Sequence, residues 1–501
     1  MADTDLTGRS RLVKNVFASY LGHFVFIIFG FILPRAIDSS IGQFGLGIWD
    51  FCWSFVNYLT VSMIGIGSSV NRFVARYRAR EDTEALNNVV STVVAIQVGI
   101  GVTVFAIVCV LALWVPVAFA ERLGEFAPSV KWVIFFLGAS LAVQMAFDAW
   151  RGVLTGCHRW DYYNALNAIG YLVISLLMLL ALWAGYGLAE ISAIYFVITV
   201  LTELIRYKVA RAVCSELQVS RQRINRVDAS QIIRFGLKTV FIGMPVMITI
   251  QSVNILLVAA LGPAALAILA RPLALVRQVA ALISKFANVL TPTAGSMQSQ
   301  EKLDELRVFA LKISRYGLLL AVPPLTFMFV LGDHLVGIWM GEDYAIWSVS
   351  AILAAGHLLP ISQGALLSIF VGMDAHGRIA LLSAVCTVTS LVAGILIVHL
   401  TSWSLPAAAM LVAAPITIGV GGSVLFYGFR FLEIGFMEYL AKVVRDGFVL
   451  LLVIGAVLTG VRLYSGLGSI GLVAVGMTLS CVLPLLLHFR EVGQLYRKIR
   501  S

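Results

Sequence analysis

Arg271, Gln278 and Lys285 stand seven residues apart in a chain that otherwise keeps charge out of its apolar stretches. On an α-helix a seven-residue step returns to nearly the same face, drifting by only about 20°. The three side chains therefore form one polar stripe. A charge at the centre of a membrane helix costs about 2.5–3.5 kcal/mol on insertion scales, so such residues mark binding sites by default. Two cations with an amide between them have the chemistry to hold an anion and pass it along the helix. Arg277, about 120° around the helix from the stripe, is a fourth candidate for the same anion. The plainer reading is that these cations snorkel to an interface or pair with a carboxylate.

A second group could gate such a site or couple it to a cation. Asp50 and Asn57, again seven apart, share a face, and a carboxylate at that depth could meet Arg271 until an anion replaces it. The plainer alternative is a static pair, or an Asp50 hydrated near the outer surface. Gln144, Asp148 and Arg151 follow at i, i+4 and i+7 on one face. Asp148 and Arg151 are i,i+3 neighbours near a helix end, which reads first as a simple ion pair. Asp148 is also the first candidate for a proton or sodium carrier. His23 and His357 titrate near physiological pH when exposed, but a single His in a bundle is more often hydrogen-bonded scaffolding. No HExxH, GxSxG or GxxxxGK[ST] pattern occurs, and within the apolar spans no carboxylates pair at short spacing. No catalytic residue and no metal ligand set is expected, and no cofactor beyond a coupling proton or sodium ion.

The elements that must carry these residues follow from composition. The chain has 501 residues, 60% of them hydrophobic and only 12% charged, against roughly 25% charged in soluble domains. Apolar runs of about 20 residues recur nearly end to end, which excludes a water-soluble globule. Runs such as FVFIIFGFIL do not alternate with period two, which excludes a transmembrane barrel. The reading is an all-α polytopic membrane protein of about 14 transmembrane helices, with span two near residues 44–70 and span eight near 264–290. The net charge of +10 is topological. With the N-terminus inside, 29 of the 36 Lys and Arg fall on the inner side and only four (Arg35, Arg122, Lys131, Arg462) fall outside. Both termini are then cytoplasmic, and no nucleic acid is needed to explain the basic balance. The six cysteines are scattered, without a CxxC pair, and are expected to be free thiols. Loops are too short for a soluble catalytic domain. GIGSSV at Gly65–Val70 reads as close helix packing rather than a phosphate loop.

The chain also repeats weakly at an offset near 220. LVKNVF (Leu12–Phe17) matches GLKTVF (Gly236–Phe241), SIGQFGLGIW (Ser40–Trp49) matches ALGPAALAIL (Ala260–Leu269), and VLTGCHRW (Val153–Trp160) matches IFVGMDAH (Ile369–His376). Six spans per copy is an even number, so the copies are parallel repeats about an axis along the membrane normal. The expected organisation is an N-terminal lobe over 1–210 (spans 1–6), a cytoplasmic linker over 211–235 and a C-terminal lobe over 236–430 (spans 7–12). Two additional spans and a cytoplasmic tail complete it over 431–501, beside a central cavity between the lobes. A transporter is the default reading of such halves.

Four segments carry a resemblance to a known family: IGQFGLGIWDFCWSFVNYLTVSMIGIGSSVNRFVARYRARED, RGVLTGCHRWDYYN, LTPTAGSM and LVGIWMGEDY. Together, over about residues 10–430, they resemble the lipid-linked oligosaccharide and polysaccharide flippases of the multidrug/oligosaccharidyl-lipid/polysaccharide exporter superfamily. The resemblance implies a multi-pass protein of the bacterial inner membrane with 12 to 14 helices in two lobes. It further implies that the protein moves polyprenyl (undecaprenyl) diphosphate-linked oligosaccharide repeat units outward by alternating access, for O-antigen, capsule or exopolysaccharide biosynthesis. Its implied partners are that lipid-linked oligosaccharide, membrane lipids, and polysaccharide polymerase and assembly proteins. Members of the family often carry an Asp in the middle of span seven, where this chain has Asn254, which argues against cation coupling there. Rival readings stay open: a cation-coupled multidrug antiporter on the same architecture, a membrane glycan polymerase or ligase, and a scaffold without transport. The antiporter would want acidic residues lining the cavity, and the polymerase would want a large outer loop.

Overall fold

The computed structural model describes residues 12–60, 66–288, 296–297, 303–373 and 375–487. Arg9, Arg11, the Arg490–Arg500 tail and most of LTPTAGSM lie outside the described residues. Every regular element among the described residues is helical. The principal helices are α1 (Leu12–Leu59), α2 (Ile66–Ala79), α3 (Thr83–Ala118), α4 (Ala127–Gly156), α5 (Trp160–Trp183), α6 (Leu188–Val213) and α7 (Arg226–Leu261). They continue as α8 (Pro263–Asn288), α9 (Leu303–Met340), α10 (Trp347–Gly372), α11 (His376–Leu400), α12 (Leu405–Phe431), α13 (Phe436–Tyr464) and α14 (Ser469–Leu487). Among the described residues, thirteen helices are long and apolar enough to cross a membrane. The first of them is two helices joined at Gly42, whose φ of 87° only glycine adopts without strain. The expected first two spans therefore follow one another directly, with only a kink between them at the turn that the sequence marks by SIGQFG.

Of the expected span two, the structure describes the part after Gly42 to residue 60 and then Ile66–Ala79, a 14-residue helix carrying Arg72, Arg76 and Arg78; residues 61–65 lie outside the described residues. That helix is amphipathic: apolar Val70 and Val74 are fully buried while Arg72 and Arg76 are exposed on the other face. Described residues of GIGSSV thus open an amphipathic helix rather than sit within an apolar span. Elsewhere the helix ends obey local chemistry. Asp82 accepts a hydrogen bond from the Ala85 N–H at the start of α3, Ser404 accepts from Ala407 ahead of α12, and positive-φ glycines end runs at Gly185, Gly262 and Gly341.

The chain divides into two compact units, residues 1–243 with 254–264, and 244–253 with 265–501. In the first unit α3 and α4 pack closely along their length, with α4 against α6 and α1 against α5. A core of Val74, Leu86, Val90, Val153 and Leu154 gathers where α2, α3 and α4 meet. At 36 residues α3 is about 54 Å long, more than a hydrocarbon core of about 30 Å needs. Its polar first turns use the surplus. There Asn87 Oδ1 accepts from the backbone N–H of Gln218 at 2.6 Å, Ser91 Oγ from Ser220 at 3.2 Å and Thr92 Oγ1 from Asn225 at 2.9 Å. The segment after α6 is thereby stitched to α3 instead of hanging free. Asn87→Ala removes the shortest of these acceptors, a loss of about 1 kcal/mol for an ordinary hydrogen bond at the exposed Gln218. Amide hydrogen exchange over residues 214–225 should speed up several-fold in that variant while α4 keeps its protection.

In the second unit α9 is the central helix, contacted by α10, α13 and α14. Arg307 pairs with Glu438, Arg315 with Asp446 and Arg462 with Asp333. Along α9 these positions rise from 307 to 333 as their partners on α13 rise from 438 to 462, so the two helices run parallel. The terminal pair of spans is fixed to this unit by charge as well as by apolar packing. In α12 a π-helical stretch, Ile416–Gly422, includes Gly419. A Cβ there would meet the Thr387 side chain and its backbone N and Cα at 2.6 and 2.7 Å, so glycine permits the close approach of α11 and α12.

Candidate functional site

Two acid–base pairs with the same spacing dominate the first unit. On α4, Arg151 forks onto Asp148, Nε to Oδ1 at 2.7 Å and Nη2 to Oδ2 at 3.1 Å. Gln97 of α3 donates to the same Oδ2 at 3.2 Å. On α6, Arg206 Nη1 donates to both oxygens of Glu203, at 2.6 and 2.7 Å, and its Nη2 donates to Asn167 Oδ1 of α5 at 2.6 Å. Asp148, Glu203 and Arg206 are all more than nine-tenths buried. Buried charges of this kind persist only when paired and hydrogen-bonded, and here each carboxylate has its own guanidinium.

The pairs line a cavity of about 230 Å³ walled by α1, α4, α5 and α6. Aromatic side chains close one side. Phe26 and Tyr171 stack with ring centroids 4.2 Å apart, and the Arg206 guanidinium lies 5.7 Å from the Tyr163 ring centroid. Gly170 lets α5 and α6 approach at this level, since a Cβ would come within 2.8 Å of Thr202 Oγ1. Gln144, Thr199 and Thr202 complete a polar lining.

Of the residues singled out by spacing, the structure brings Gln144, Asp148 and Arg151 to this one cavity. The i,i+3 ion pair is present, and Gln97 and the Glu203–Arg206 pair join it. Sequence reasoning missed these partners. The distribution of basic residues assigns Arg206 to an inner loop, whereas α6 runs on to Val213. The available signal was the shared spacing, D-x-x-R near the end of span four and E-x-x-R near the end of span six, two spans that run in the same direction.

Arg271, Arg277, Gln278 and Lys285 all lie on the unbroken helix α8, which contains Pro272 yet remains helical to Asn288. Arg271 is buried, Gln278 and Lys285 are half-buried and Arg277 is exposed. From Arg271 to Lys285 the stripe spans about 21 Å at 1.5 Å per residue. Asp50 and Asn57, both half-buried, follow Gly42 in α1 and belong to the first unit, whereas Arg271 belongs to the second. Asn254 donates to Ser54 Oγ at 3.0 Å, and Ser54 in turn donates to the Asp50 carbonyl at 2.9 Å. His357 Nδ1 lies 2.8 Å from the Leu353 carbonyl in the same helix, a scaffold contact.

Comparison with known proteins agrees with this architecture. The lipid II flippase MurJ, in an inward closed conformation, is similar with a TM-score of 0.67 at 11% identity, over 95% of this chain and all of that one. An inward-facing multidrug resistance transporter of the MATE family and MOP superfamily gives 0.65 at 16% identity, over 82% of this chain and 94% of its own. A MOP-superfamily transporter from Pyrococcus furiosus, described by the reversed polarity of its binding pocket, gives 0.63 at 15% identity, over 88% and 99%. At these identities the likeness is one of fold, an all-α polytopic membrane fold. No curated protein matches the chain in sequence. The model of a family described as polysaccharide biosynthesis proteins matches residues 12–298, more than half the chain, and takes in both the charged cavity and the whole of α8. This membrane protein belongs to the polysaccharide biosynthesis protein family.

Proposed function

We propose that the protein is a flippase that carries polyprenyl diphosphate-linked oligosaccharides from the cytoplasmic to the outer leaflet of a bacterial inner membrane. It makes and breaks no bond, and both termini face the cytoplasm. The observation that carries this reading is the stripe of Arg271, Gln278 and Lys285 on one face of an unbroken helix. Two cations about 21 Å apart with an amide between them suit a diphosphate that must shed water to cross. The driving force is available without a coupled ion. A headgroup with about two negative charges moving outward across an inside-negative membrane gains roughly 2.3 kcal/mol per charge per 100 mV. Membership of the polysaccharide biosynthesis family supports the reading, and polysaccharide polymerase and assembly proteins would receive the product.

A cation-coupled drug antiporter on the same fold is the second reading, with Asp148 as the proton or sodium carrier. Asp148 and Glu203 are the acidic groups it would need, but each carboxylate already takes both oxygens' worth of guanidinium or amide donors. The two readings separate in the lipid extract of a deletion strain. Under the flippase, mass spectrometry finds complete lipid-linked oligosaccharide units accumulating while surface polysaccharide disappears. Unchanged glycans together with new sensitivity to cationic drugs would transfer the assignment to the antiporter.

A further inference from the structure

The geometry points to a carbohydrate-binding site in the cavity of the first unit, one that holds a single neutral pyranose ring between the Phe26–Tyr171 stack and the Asp148–Arg151 and Glu203–Arg206 pairs. Charge balance decides the class of ligand. The two lining carboxylates face two lining guanidiniums at 2.6–3.1 Å, so the cavity offers no net attraction to a diphosphate and no uncompensated carboxylate to a cation. Its volume of about 230 Å³ is also far beyond the roughly 10–15 Å³ that one water-sized guest needs.

What the cavity does offer is a mixture of donors and acceptors on rigid side chains. The Arg206 Nε–H is buried without a hydrogen-bond partner, while the Nη groups of the same side chain are held by Glu203 and Asn167. Thr202 Oγ1 donates to the Ile198 carbonyl and keeps its lone pairs for a guest. Gln144 and Asn167 bring amides, each able to donate and accept. A ring of hydroxyls, every one both donor and acceptor, matches such a lining where an ion does not. The apolar face of a pyranose, made of axial C–H bonds, matches the stacked Phe26 and Tyr171 rings, whose centroids are 4.2 Å apart. Pockets for small ligands have this composition, an apolar wall with a few convergent polar groups.

The site deepens the flippase reading by naming what a sugar of the cargo would meet, and it rests on that reading only for the source of the sugar. The test therefore needs no transport. The full chain in nanodiscs is examined by saturation-transfer NMR against the methyl glycosides of glucose, galactose and mannose, N-acetylglucosamine and D-glucuronate, with inorganic pyrophosphate and sodium chloride added as competitors. At least one neutral sugar should bind saturably, with glucuronate weaker and with pyrophosphate and sodium displacing it poorly. Tyr171→Leu should weaken that sugar by about tenfold, the effect of losing one aromatic contact, and Tyr171→Phe should keep it. A panel without any neutral binder overturns the proposal, as does binding unchanged in Tyr171→Leu. So does displacement of the sugar by pyrophosphate or sodium at concentrations below those at which the sugar itself binds, which would make the cavity a headgroup or ion site. Sugar binding with normal lipid-linked intermediates in the deletion strain would sink the flippase and leave the site. Flipping without sugar binding would do the reverse.

Discussion

If the protein is the proposed flippase, Arg271→Ala and Lys285→Ala should each abolish export of the glycan at normal protein levels, while Gln278→Ala should slow it and Arg277→Ala should have the smaller effect of a residue off the stripe. The expectation follows from spacing. Successive members of the stripe are seven residues, about 10 Å, apart along α8, so a diphosphate released by one cation can be taken up by the next only if both are present. A hydrogen bond to a charged group contributes about 1.5–3 kcal/mol, and about 1.4 kcal/mol is tenfold in rate. Losing one end of the stripe should therefore cost roughly 10- to 100-fold in flipping, enough to fall below what growth of a surface polymer requires. Arg271→Lys and Lys285→Arg retain the charge and should restore a substantial part of the rate. The measurements are surface glycan in a complemented deletion strain and headgroup translocation in proteoliposomes, with protein level checked by blot. Wild-type rates in both alanine variants would show that the cations only snorkel, and the stripe would carry no function.

What the sequence made legible, and what it did not, follows from which forces act locally. Apolar runs of about 20 residues identify spans because the bilayer demands them, and the turn at Gly42 is announced by the glycines around it. The amphipathic helix Ile66–Ala79 is less legible, because it keeps apolar residues on one face and hydropathy averages over both. Helical spacing correctly placed Asp148 and Arg151 side by side. It could not say which helices that face would meet, since the approach of α3, α5 and α6 to α4 is a property of tertiary packing. Gln97, Asn167, Glu203 and Arg206 entered the site only through those contacts. Arg206 was hidden further by its own chemistry: a basic residue at the end of a span counts as a loop cation under the positive-inside rule, and only the structure places it in a buried pair. The π-helical stretch at Ile416–Gly422 leaves no mark in the apolar pattern at all, because its cause is the passage of α11 against Gly419.

Arg206→Ala is the substitution expected to harm the fold most. Glu203 is 3% exposed and both of its oxygens accept from Arg206 Nη1, so truncating the arginine leaves a carboxylate buried without its cation. Removing one partner of a buried pair costs about 3–5 kcal/mol, because the remaining charge is neither solvated nor matched. The apparent melting temperature of the purified chain in detergent should drop sharply and its yield with it. Glu203→Gln alone should also destabilise, by less, since a neutral amide can still accept from Arg206. The informative variant removes both charges. Glu203→Gln with Arg206→Met keeps volume and leaves no unmatched charge, and replacing a buried pair by neutral groups is often close to neutral for stability. It should recover most of the loss but not all, because Asn167 Oδ1 loses the Arg206 Nη2 donor at 2.6 Å, about 1 kcal/mol for an ordinary hydrogen bond. A double variant as unstable as Arg206→Ala would mean that the arginine stabilises by packing over the Tyr163 ring and not by matching Glu203. The thermodynamic cycle over the two positions measures that difference directly.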